Sequence, residues 1–148
     1  MKFLVTGAAG FIGSSLCLEL EKKFPDVNIY AVDNFWSGHF KNLKGFKGIF
    51  LSYDISSKEF FEFLNSMKFD AVFDVGAISD TTVEDQYKML VLNTNSFHKI
   101  VEYALNNCIP LIYASSASVY GKKPGPNHLE DGDSPENVYA FSKLMMDN

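Results

Sequence analysis

The chain has 148 residues, 47% of them hydrophobic, which is enough for one domain with its own core. Its net charge is −5, and its 13 Lys and Arg form no basic stripe, which excludes a nucleic-acid surface as the expected role. No apolar run approaches bilayer length, no signal-peptide layout opens the chain, and His and Cys fall at no metal-binding spacing. A cytoplasmic protein without membrane, metal or nucleic-acid contacts is therefore expected.

Phe3-Leu4-Val5-Thr6 is a short apolar run, and Gly7, Gly10 and Gly13 follow it at spacings of three. The pattern reads as strand, tight turn, helix. A turn without Cβ atoms at Gly7 and Gly10 lets backbone approach a pyrophosphate, and Gly13 lets the helix sit close to the strand. The helix N-terminus at Phe11 and Ile12 then offers free N–H groups and partial positive charge to the anion. The helix is predicted over 11–24, with Ile12, Leu16, Leu20 and Phe24 recurring every four residues. A second strand over 28–33 ends in Asp33, twenty positions beyond Gly13, where a carboxylate accepts hydrogen bonds from an adenosine ribose. Asp is also a common turn residue at strand ends, and the spacing from the glycines favours the ribose role.

Residues 34–48 read as a loop with a turn of helix near Lys41, and 49–51 as a third strand. Asp54 and Ile55 follow it, a polar and an apolar side chain suited to the edge and face of an adenine. Ser56 or Ser57 caps a helix whose apolar face is Phe60, Phe61, Leu64 and Met67. The fourth strand, 69–75, opens into the small-residue loop Gly76-Ala77-Ile78-Ser79. One long helical stretch then runs to about Asn107, with Phe97, Ile100, Val101, Ala104, Leu105 and Cys108 on one face and His98 off it. Cys17 and Cys108 both fall in predicted helices among apolar neighbours, as buried free thiols of a reducing compartment. The fifth strand, 110–114, leads into Ser115-Ser116-Ala117-Ser118. A Pro- and Gly-rich loop and the turn Asp131-Gly132-Asp133-Ser134-Pro135 precede a last helix from Asn137.

Strands alternating with helices at this spacing imply an α/β fold, a doubly wound parallel sheet (Rossmann) in the order 3-2-1-4-5. The chain stops inside a helix, so 1–148 is expected to be the NAD(P)-binding part of a longer protein whose substrate domain follows. The glycine turn, Asp33, the Gly76–Ser79 loop and the Ser115–Ser118 segment all follow strand ends, so they are expected to line one cleft. Tyr139 and Lys143 stand four apart on the last helix and share a face. An ammonium beside a phenol favours the phenolate, which is the base that hydride transfer from a hydroxyl-bearing carbon requires. Ser116 is placed to hydrogen-bond the same substrate oxygen.

These motifs, with the Asp33-Asn34 pair and Ser115-Ser116-Ala117-Ser118-Val119-Tyr120-Gly121, resemble the extended short-chain dehydrogenase/reductase family, in its nucleotide-sugar epimerase and dehydratase branch. Within the branch, residues 76–84, 113–117 and 135–139 are most similar to the members that act on ADP-heptose in lipopolysaccharide core precursor synthesis. The resemblance implies a tightly bound NADP or NAD that is not consumed, a nucleotide-sugar substrate and a homo-oligomer. It makes Tyr139 the proton acceptor, Lys143 its electrostatic partner and cofactor-ribose ligand, and Ser116 the substrate-oxygen ligand. Asn93 matches a helix asparagine that supports the cofactor site, and Ser79, Thr81, Thr82 and Ser118 border the sugar. Gly76, Ala77, Ile78 and Asn34 join the cofactor contacts.

Two departures bear on chemistry. Asp74 stands where many relatives carry His. The heptose-acting members favour NADP through a lysine after Asp-Asn, whereas Phe35 and Trp36 come first here and the Asp33 carboxylate itself favours NAD. Competing expectations are a UDP-hexose 4-epimerase or a dehydratase, and a cofactor-binding fragment without turnover. The loop 77–82 and the Ser116, Tyr139 and Lys143 set speak against them.

Overall fold

Strand β1 (Lys2–Thr6) buries every residue after Lys2, the pattern of a strand covered on both faces. In the computed structural model, which describes residues 1–128 and 133–148, β1 is the centre of a five-stranded parallel sheet. Its neighbours are β2 (Asn28–Val32) and β4 (Ala71–Asp74), and β3 (Ile49–Leu51) and β5 (Leu111–Tyr113) form the edges, in the order β3-β2-β1-β4-β5. Thr6 stands in register with Val32 and with Asp74, so the central strands end level. The expected sheet order and the doubly wound Rossmann fold are observed.

Alternate residues of β1 feed two cores. Phe3 and Val5 pack with Cys17 and Leu20 of helix α1 (Phe11–Lys23). Leu4 faces the other way, with Phe60 and Leu64 of α2 (Lys58–Ser66) and with Ile100 and Tyr103 of α4 (Ser96–Asn107). The two-residue period of a strand thus places helices on both faces. Ser57 caps α2, its Oγ accepting the Phe60 N–H at 3.1 Å.

The helix preceding β5 differs from expectation. It is not one regular stretch: a single α-turn, α3 (Gln86–Met89), passes into a π-helical segment over Leu90–Asn95 and then into α4. Its buried face is Phe97, Ile100, Tyr103 and Ala104, while Leu105 and Cys108 are exposed. The reason is the helix end. Cys108 takes a left-handed conformation at φ +53°, and the following Ile109 donates its N–H to the Ala104 carbonyl and packs into the core in its place. The expected burial of both thiols therefore holds for Cys17 alone. Ile12, counted with the apolar face of the first helix, is 62% exposed. Gly13, Ser14, Cys17 and Leu20 form the buried face instead, because close approach to β1 requires a residue without a side chain.

A one-turn helix over Phe40–Leu43 appears where a turn near Lys41 was expected, and a second follows β5 at Ala117–Tyr120. The last helix, α5 (Val138–Asp147), starts at its N-cap Asn137. The Asp131-Gly132 part of the expected turn lies outside the described residues. Among the described residues no helix is long and apolar enough to cross a membrane.

Candidate functional site

The turn after β1 is built by contacts that only glycine permits. Gly7 has φ +62°, and a Cβ on it would lie 2.7 Å from the Gly76 Cα. A Cβ on Gly13 would lie 2.1 Å from the Gly7 carbonyl oxygen. Strand, loop and helix thus pack backbone on backbone. Among the described residues no side chain caps α1 and no acidic residue occupies its first turn, so its leading N–H groups and dipole are left for an anion.

A cavity of about 370 Å³ opens along the carboxyl ends of the strands. Gly7, Gly10, Phe11, Ile12 and Gly13 line it at the centre. Asp33 and Asn34 line it from the end of β2, with Ile55 beyond β3. Gly76, Ala77, Ile78 and Ser79 line it from the end of β4, and Tyr139 and Lys143 from α5. One cleft therefore collects the residues the sequence placed after strands 1, 2 and 4, and of the expected 115–118 segment it collects Ser115.

Asp33 is buried, and both carboxylate oxygens are held. One accepts the Ala9 N–H at 2.9 Å and the other the Phe35 N–H at 2.7 Å. The second bond accompanies a left-handed Phe35, φ +58°. Asp33 is thus a turn residue and a cavity residue at once. The loop beyond it is tied to the glycine turn, since the His39 N–H and the Asn42 side-chain amide both donate to the Ala9 carbonyl, at 3.0 and 2.9 Å. Trp36, in this loop, lines the cavity and carries the Lys88 ammonium of α3 at 3.5 Å from its ring centroid. Residues from the β2 side and the α3 side meet there.

On α5, Asn137 caps the helix by accepting the Ala140 N–H at 2.8 Å, which sets the turn that carries Tyr139 and Lys143. Lys143 is 2% exposed, and its ammonium donates to the Ala114 carbonyl at 2.6 Å. Burial holds it below the ordinary lysine value, while Asp74 and then Asp147 pull it back up. Asp74, the last residue of β4, is also 2% exposed. It accepts a hydrogen bond from the Thr6 hydroxyl, which in turn accepts the Gly76 N–H at 3.0 Å. Burial pushes the Asp74 carboxyl up to about 6, against the Thr6 bond and the Lys143 charge.

Other expected site residues stand off the cavity wall. Ser116 caps the one-turn helix after β5, and its Oγ lies 2.8 Å from that of Ser118. Asp54 accepts from the Ser56 N–H and hydroxyl, at 2.8 and 2.7 Å. Thr82 bonds back to Asp80, and Thr81 beside it is exposed away from the lining. Asn93 is buried behind the wall. It accepts the Ile78 N–H at 2.8 Å and donates to the Ile78 carbonyl and the Ser142 hydroxyl, at 3.0 and 2.9 Å, so it staples the loop after β4 to α5.

The lining also includes residues that sequence reasoning passed over. They are the Trp36-Ser37-Gly38 segment, Tyr53, Val75, Leu92 and Ala114. A tryptophan and a glycine directly after Asp33-Asn34 were the available signal for the first group. Leu92 sits in the π-helical segment, which no period in the sequence marks.

With this geometry in place, the chain matches the model of the NAD dependent epimerase/dehydratase family over residues 3–148. A curated ADP-L-glycero-D-manno-heptose-6-epimerase of Brachyspira hyodysenteriae is 40% identical over 152 residues, 97% of this chain and 46% of the relative. The crystal structure of the Helicobacter pylori ADP-L-glycero-D-manno-heptose-6-epimerase superposes with a TM-score of 0.94 at 41% identity, over 99% of this chain and 49% of that one. The Bordetella bronchiseptica enzyme WbmH, solved in complex with NAD+, gives a TM-score of 0.86 at 26% identity, over 99% and 50% of the two chains. The chain thus spans about half the length of these relatives.

Proposed function

The chain belongs to the NAD dependent epimerase/dehydratase family, and on that premise we propose that the protein inverts C6″ of ADP-glycero-manno-heptose. The observation that carries an epimerase reading is that Tyr139 and Lys143 line the same cavity as the glycine turn. The sugar is supported by the two heptose epimerases, whose identity of 40–41% runs along nearly the whole chain. Their greater length supports placing most of the sugar-binding domain, and the second base, beyond residue 148.

The residues fit a dinucleotide. The Cβ-free cradle at Gly7 and Gly13 and the uncapped N-terminus of α1 suit a pyrophosphate, and Asp33 at the end of β2 suits a ribose. Among the described lining residues Lys143 is the one cation, and strand order puts it on the opposite side of the glycine turn from Asp33. A ribose 2′-phosphate would meet the Asp33 carboxylate, so the cofactor proposed is NAD rather than NADP. When bound, the nicotinamide supplies transient oxidation and re-reduction of the sugar carbon. Tyr139 takes the hydroxyl proton and later returns it, and the Lys143 ammonium favours the phenolate that does so. Asn93 holds the Ile78 backbone in place against α5.

The test is an NMR assay of the intact protein with ADP-D-glycero-D-manno-heptose and no added cofactor, followed by identification of the released nucleotide. Inversion at C6″ with NAD in the extract is the expected result. A nucleotide without inversion moves the substrate to another nucleotide sugar, and released NADP overturns the cofactor assignment. Tyr139→Phe abolishes turnover and leaves nucleotide retention nearly unchanged; equal loss of both would sink the proton-acceptor role.

A further inference from the structure

Lys143 presents a physical problem. An ammonium that is 2% exposed is held below its ordinary value by burial, yet the reading above, on which this inference rests, needs it charged beside Tyr139. Its ammonium donates to the neutral Ala114 carbonyl. The titratable groups around it are Tyr139 and Asp147 on its own helix, Asp74 at the end of β4, and Tyr113 on β5, which is bonded to Asp147. The Asp147 carboxylate is exposed, and its two oxygens are taken by the Tyr113 and Ser115 hydroxyls at 2.9 and 2.6 Å. Asp74 differs, since one of its oxygens is taken by a hydroxyl, that of Thr6, rather than both. It is buried, where charges act more strongly on one another, and the backbone ties it to the lysine's own acceptor, since the Ala114 N–H donates to the Asp74 carbonyl at 3.1 Å.

We propose that Asp74 is a positioning residue: the buried counter-ion that keeps the Lys143 ammonium charged and seated at the end of β5. The carboxylate does this from a fixed place. Its register partner Thr6 holds one oxygen by a hydroxyl bond, and that hydroxyl is itself oriented by the Gly76 N–H. One chain of contacts therefore joins the glycine turn, the loop after β4 and the charge beside Tyr139. Asp74 touches none of the reacting atoms and acts through Lys143.

The test is the NMR titration of the Lys143 side chain, with 13C-labelled lysine, in the intact protein. Asp74→Asn keeps an acceptor for Thr6 and removes the charge. It lowers the Lys143 midpoint by about one pH unit or more. Asp147→Asn lowers it less, because its charge is screened by solvent. An unchanged midpoint in Asp74→Asn, or a larger shift in Asp147→Asn, overturns the proposal. If Asp74→Asn does not fold, the wild type decides: the Lys143 and Asp74 side-chain resonances share an inflection near pH 6, and its absence overturns the proposal. A missing shift with epimerisation intact defeats this inference alone. Missing epimerisation with the shift intact defeats the functional reading alone.

Discussion

A single buried carboxylate shows how residue chemistry becomes a pH response. The Asp74 carboxyl rises from 3.8 to about 6 in the folded protein, chiefly by burial. The native state therefore holds a proton that the unfolded state has released between those values, and stability falls as pH rises from about 4 to about 6. Asp74→Asn removes that slope. Relative to the variant, the wild type loses about 3 kcal/mol across this window, and the difference is constant below it and, above it, until Lys143 begins to titrate. Denaturant melts of both proteins at pH 4, 5, 6 and 8 check this, and parallel curves would show that Asp74 ionises as freely in the native state as in the unfolded one. Asp33 makes the opposite point at the same scale. Its place after the second strand was legible from the glycines. Its bonds to the Ala9 and Phe35 N–H groups were not, because they depend on where two loops fold back.

Among the elements, the loop after β2 and the turn α3 meet where Lys88 lies on the ring of Trp36, a residue of the cavity wall. Such a contact is worth about 0.5–2 kcal/mol. Trp36→Ala, which also removes part of the cavity wall, speeds nucleotide release roughly tenfold, and Lys88→Met does so less. Stopped-flow release of the bound nucleotide measures both, and equal rates in all three proteins would rule out a retaining role. The helix preceding β5 carries a different lesson. The apolar spacing over 97–108 predicts a helix, and a helix is there. The π-helical segment at Leu90–Asn95 is set by packing, because Asn93 must reach the Ile78 backbone and the Ser142 hydroxyl at once.

Across the whole molecule, burial separates the two thiols. Cys17 lies in the core between α1 and the sheet, where burial pushes its thiol up to about 12. Cys108 is exposed at the end of α4. A short iodoacetamide pulse at pH 8 followed by peptide mapping labels Cys108 and leaves Cys17 unmodified until denaturant is added. Comparable labelling of both in the native protein would mean that the first core opens readily.

What the sequence by itself determined is whatever local spacing encodes. The glycine turn, the alternation of strands and helices that selects the sheet order, and the four-residue interval between Tyr139 and Lys143 are set by backbone periods and by the absence of Cβ atoms. The tertiary structure alone decided which polar groups meet. It set Ser116 to capping a turn, moved Cys108 to the surface, brought Trp36 into the wall and buried both Asp74 and Lys143. The last of these depends on residues 68 and 70 positions apart, Thr6 with Asp74 and Thr6 with Gly76, meeting across the sheet, which no period along the chain records.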